Sequence, residues 1–127
     1  MIKLVAVALI LSGFVEILGL LRVQTSYSRL SMSLVDFNAL PEERKMELAL
    51  SVLGHTAAEA FEIVAVVLGI VYFEGPLRWL LLSIFGLSIL AAFLYTILPK
   101  SLYILWKYVD NTYCACVLIL GPLLLLK

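Results

Sequence analysis

The stretch WLLLSIFGLSILAAFLYTIL at residues 79–98 contains no charged side chain and no proline. As a helix it rises about 30 Å, the thickness of a bilayer's hydrocarbon core. Three more apolar runs accompany it, at residues 4–21, 48–73 and 101–126. Glu16 alone interrupts the first; the second carries His55, Glu59 and Glu62, and the fourth carries Lys107 and Asp110. Backbone N–H and C=O groups must be satisfied internally in lipid, and these runs are too long for barrel strands. The expected fold is therefore all-α: a polytopic integral membrane protein whose four transmembrane helices form an up-down bundle. The spans fall at about residues 3–23, 47–73, 77–98 and 101–126 of a single membrane domain, 1–127. A polar, partly amphipathic connection occupies 24–46.

Composition points the same way. Of the 127 residues, 64% are hydrophobic and 14% charged, with a mean hydropathy of +1.11. Soluble domains average roughly 45–50% apolar and about 25% charged. A water-soluble globule of this size would carry its surplus of apolar side chains on the outside. A soluble enzyme and a disordered tail are thereby excluded. Nine basic residues against nine acidic ones leave no positive field for nucleic acid. The expected surroundings are membrane lipid, including bound lipid, and other membrane subunits or further copies of the chain.

The connections divide the runs. Glu74-Gly75-Pro76 and Pro99-Lys100-Ser101 are short breaks, with Ser101 a candidate N-cap, so consecutive helices should be antiparallel neighbours. Pro41-Glu42-Glu43 reads as a helix start, because proline fits the first turn and acids favour the positive helix end. The second helix is then expected to begin well outside the membrane, while residues 30–40 have a mixed pattern compatible with lying on its surface. Gly121-Pro122 should kink or end the fourth helix. Lys3 and the apolar run after it mimic a signal peptide, but no small-x-small cleavage site follows and the run is long enough to span. Arg22, Arg29, Arg44, Lys45 and Lys100 stand on one side, against Lys3, Arg78 and Lys127 on the other. The positive-inside rule places both termini on the non-cytoplasmic side.

The informative residues are the charges within the spans, since each costs at least about 2.5–3.5 kcal/mol at the bilayer centre. At 1.5 Å per residue, Glu16 lies about 10 Å deep, His55 about 10 Å, Glu59 about 16 Å and Glu62 about 21 Å. From the same side, Lys107 lies about 9 Å deep and Asp110 about 13 Å. His55, Glu59 and Glu62 share one helical stripe, as do Lys107, Asp110, Asn111 and Cys114. Gly54, Ala57, Ala58 and Ala60 should let a neighbouring backbone approach. A polar seam is expected where helices one, two and four meet, with helix three packed behind it and facing lipid. Tyr108 and Tyr113 are candidate donors to the seam. Tyr72, Phe73, Trp79, Tyr103 and Trp106 are read as interfacial rings.

Two roles compete for Glu16, His55, Glu59, Glu62, Lys107 and Asp110. One is a structural lock, in which Lys107 neutralises Glu59 or Asp110 and fixes helix register. The other is a proton or cation relay, since intramembrane carboxyl groups characteristically line such routes. No catalytic residue, metal set or cofactor is assigned. His55 is the sole histidine, so a two-histidine haem cannot form within one chain, and di-iron bundle sites need two Glu-x-x-His motifs. A single metal on His55, Glu59 and an acid from another helix remains open. Cys114 and Cys116 should point to opposite faces as packing residues.

Glu16-x-x-Gly19 faintly resembles the first helix of small multidrug-resistance transporters, which also have four short helices. The long first connection and the charges on helices two and four depart from that family. Over residues 54–98, Thr56-x-x-Glu59 and Gly75-Pro76 are similar to features of membrane proteins of eicosanoid and glutathione metabolism. That family's thiolate-binding arginine on the third helix is missing from Ala91-Ala92-Phe93-Leu94-Tyr95. Neither likeness assigns a family. The expected function is a small non-catalytic membrane subunit of a larger complex, such as an energy-converting or redox assembly. The alternatives are a homo-oligomeric proton- or cation-coupled transporter and, last, an intramembrane lipid or thiol-transfer enzyme.

Overall fold

The computed structural model describes residues 1–21, 38–94 and 97–127. Among these residues it is all-α, with four helices: α1 (Ile2–Leu20), α2 (Glu42–Tyr72), α3 (Pro76–Leu94) and α4 (Lys100–Leu126). Each is long and apolar enough to cross a membrane. The surface-lying segment expected around residues 30–40, and most of the connection at 24–46, lie outside the described residues.

Local chemistry sets the helix limits. α2 starts behind Pro41 with Glu42 and Glu43 in its first turn, where acids meet the unpaired N–H groups. At 31 residues it is about 46 Å long, some 16 Å more than a hydrocarbon core. Its end is closed by Arg78, whose Nε donates to the carbonyls of Ile70 (3.0 Å) and Phe73 (2.9 Å). A helix C-terminus has carbonyls to spare and a negative end, so a guanidinium satisfies both needs. Gly75 has φ +72°, which lets the chain reverse within three residues before Pro76 begins α3. α4 begins at Lys100 behind Pro99, one residue before the Ser101 cap expected from the sequence. It also runs unbroken through Pro122, which is buried, so Gly121-Pro122 does not end it.

Contacts between elements run antiparallel in register. Gly13 of α1 faces Ile119 of α4, and Gly19 faces Asn111. Gly69 of α2 faces Leu9 and Leu81, and Gly121 of α4 faces Leu77 of α3. α1 packs most extensively on α4 and then on α2, while α3 bridges α2 and α4 on the other side. The four helices thus form a ring, with α1 and α3 diagonally opposed.

The bundle has two chemically different halves. In one, Val5, Leu9, Val66, Phe73, Leu81 and Leu118 interlock as an apolar core. In a lipid surround such packing is held by close van der Waals fit rather than by water exclusion, and the glycines supply the fit. A Cβ on Gly13, Gly69 or Gly121 would come within 2.5 Å of a neighbouring side chain. The approach expected at Gly54 does not occur, since nothing lies within 4 Å of a Cβ built there; Ala57 and Ala60 are likewise exposed. Three hydroxyls donate to carbonyls of their own helices, Ser12 to Ala8, Thr56 to Val52 and Ser83 to Trp79, each at 2.9 Å. The other half of the bundle holds the polar residues.

Candidate functional site

Three helices deliver charged side chains to one level. Glu16 stands in the last turns of α1 and is buried. Glu59 and Glu62 come from the middle of α2, Glu62 buried and Glu59 with a side chain 41% exposed. Lys107, Asp110 and Asn111 line the inner stripe of α4, all buried. One carboxyl oxygen from each of Glu16, Glu59 and Glu62 lies within 4.8 Å of the others.

The remaining groups surround this triad. Glu59 Oε1 is 3.9 Å from Lys107 Nζ and 3.9 Å from His55 Nε2. Asp110 accepts a hydrogen bond from Cys114 Sγ at 3.6 Å, so the polar stripe of α4 ends where the apolar core begins. A carboxyl oxygen of Glu16 lies within 4.8 Å of one of Glu62. Carboxylates have no donor, so two charged ones at this separation repel, and a proton or another cation between them offsets that.

Two cavities share these walls. One, of about 400 Å³, is bordered by Glu16, His55, Glu59, Glu62, Lys107 and Asn111. The second, of about 270 Å³, shares those six residues and continues past Asp110 and Tyr103 to Ala91 and Ala92 of α3. Together they make one polar chamber, which opens at the half-exposed Glu59. An apolar cleft of about 200 Å³ between α2 and α3 meets it at Glu62, with Val66, Ile84 and Phe85 among its lining.

All six residues singled out in the sequence (Glu16, His55, Glu59, Glu62, Lys107 and Asp110) therefore border a single cavity. Four details differ from expectation. Tyr108 and Tyr113 are 41% and 36% exposed and turn away from the chamber, whereas Tyr103, read as interfacial, is 4% exposed and lines it. Tyr103 precedes Lys107 by one helical turn, and that spacing is the signal that places it on the inner stripe. Phe73, also read as interfacial, is buried in the apolar core. Helix α3 is no mere backing: Ser88, Ala91 and Ala92 form the chamber's far wall. The three-carboxylate grouping replaces the His55-centred metal set considered from sequence, because His55 lies outside it. Cys114 is buried and Cys116 exposed, on opposite faces of α4.

No family model, curated protein or solved structure matches the chain.

Proposed function

We propose that the chain is a non-catalytic polytopic membrane protein, spanning the bilayer four times in up-down order with both termini on the non-cytoplasmic side. Its acidic seam carries small cations, protons among them, through one half of the membrane, and the protein works as a subunit of a larger membrane assembly. A single observation carries this reading: acids from α1, α2 and α4 meet in a chamber that, among the described residues, holds one lysine and four carboxyl groups. Buried charge inside a bundle is expensive and marks ion or proton pathways. The assembly role is supported by the outer faces. Only 17% of the apolar window of α3 is buried within the chain, leaving broad surface for lipid or neighbouring helices.

One observation favours a second reading, a homo-oligomeric cation-coupled transporter. A chamber of about 400 Å³ is within the size range of small-molecule sites.

Purification in mild detergent without cross-linking separates the two, since a stoichiometric set of foreign subunits supports the first and a clean homo-oligomer the second. In liposomes the purified protein should dissipate a pH or cation gradient, and Glu59→Gln should abolish that flux. Undiminished flux through Glu59→Gln would remove the chamber from the route.

A further inference from the structure

We propose that Glu16, Glu59 and Glu62, with the Asn111 amide, form a binding site for a hard divalent cation of Ca²⁺ size. The inference rests on reading the chamber as a cation site, but it does not require the cation to cross the membrane.

Distance is the first argument. Ca²⁺ takes oxygen ligands at 2.3–2.6 Å, so ligands on opposite sides of the ion stand about 4.6–5.2 Å apart. The three carboxyl oxygens span no more than 4.8 Å, and one such ion touches all of them with little movement. Mg²⁺, at about 2.0–2.1 Å, demands a tighter octahedron that would draw the helices together.

The second argument is Asn111. It is 3% exposed and borders both cavities beside the carboxyls, and among the described residues its amide makes no hydrogen bond. Gly19 gives it room, since a Cβ there would lie 3.3 Å from Asn111 Nδ2. A buried amide with no partner among the described residues is open to water or an ion, and Asn carbonyls are regular Ca²⁺ ligands.

Charge is the third. Glu16, Glu59, Glu62 and Asp110 border the chamber, with Lys107 as its one permanent cation among the described residues. Lys107 also bears on affinity, because its ammonium already occupies Glu59 and opposes an incoming ion. Oxygen donors alone select hard ions. Cys114, the nearest soft ligand, is engaged with Asp110.

The test uses the full chain, stripped of metal in mild detergent and titrated calorimetrically with CaCl₂, MnCl₂, MgCl₂ and ZnCl₂. One Ca²⁺ or Mn²⁺ per chain is expected. Glu16→Gln, Glu62→Gln and Asn111→Leu should each weaken binding at least about tenfold, while Glu43→Gln, on the exposed first turn of α2, should leave it unchanged. Lys107→Met should tighten it by about tenfold or more, a gain that misfolding cannot imitate. Pulsed electron paramagnetic resonance of bound Mn²⁺ on the unmodified chain should show no imidazole nitrogen coupling. Absence of saturable binding, or binding indifferent to both glutamine variants, overturns the proposal. So does a Zn²⁺ preference that vanishes in His55→Ala. Divalent binding without flux in liposomes leaves this site standing and removes transport; proton flux without divalent binding does the reverse.

Discussion

Replacing Gly69 and Gly54 separately with alanine tests the packing of the apolar half. Both glycines are on α2, about four turns apart. A methyl group on Gly69 would lie 2.5 Å from Leu81 Cδ1 and 3.2 Å from Leu9 Cδ1, and both leucines are completely buried. On Gly54 it would meet nothing within 4 Å. Each substitution gains about 1 kcal/mol of helix propensity, and that gain cancels when the two variants are compared. What remains is overpacking at Gly69, about 1–3 kcal/mol. Gly69→Ala should therefore be less stable than Gly54→Ala by that amount, measured by reversible unfolding in mixed micelles of rising dodecyl sulfate content and followed by helical circular dichroism. Adding Leu81→Ala to Gly69→Ala should recover part of the loss as a positive coupling. If the two single variants agree within about 0.5 kcal/mol, the leucines yield freely and the claim that α1, α2 and α3 lock at this point is wrong.

Two further outcomes follow from particular contacts. Arg78→Met keeps the apolar stem but strips two charge-assisted hydrogen bonds from the end of α2; it should cost about 1.5–3 kcal/mol in the same assay, and an unchanged midpoint would show that water caps those carbonyls equally well. A spin label on Cys116, in a Cys114→Ala background, should be relaxed by oxygen more than by a water-soluble nickel chelate in liposomes. Cys116 faces outward from the middle of α4, and preference for the chelate would place that face in water.

The four helices were legible because twenty-residue apolar runs have few other uses, and the start of α2 because Pro41, Glu42 and Glu43 satisfy distinct needs of a first turn. Convergence of the charged residues was legible from their common depth and stripe spacing. Rotation in the apolar half was not, since a helix that is apolar all round does not mark its inner face. There the choice falls to shape, and the sequence does not distinguish Gly54, which borders the open chamber with nothing against it, from Gly69, which faces Leu81. Residues anchored to the charged stripe were easier. Tyr103 shares it with Lys107 and is buried, while Tyr108 and Tyr113 are displaced from it and exposed. Pro122 leaves the helix unbroken because proline's cost inside a helix is local, and the helix continues on either side of it.

The Arg78 fastening makes α2 and α3 a hairpin tied at its bend, and the broad face between α1 and α4, with Gly13 against Ile119, makes the other helices a second unit. Glu16, Lys107 and Asn111 belong to one unit, Glu59 and Glu62 to the other. An ion seated among them is then a clasp joining two levers at the end remote from the bend. Rocking of one lever against the other would load that clasp and the Leu9–Gly69 contact between α1 and α2, and not the fastening at Arg78, which lies within one lever.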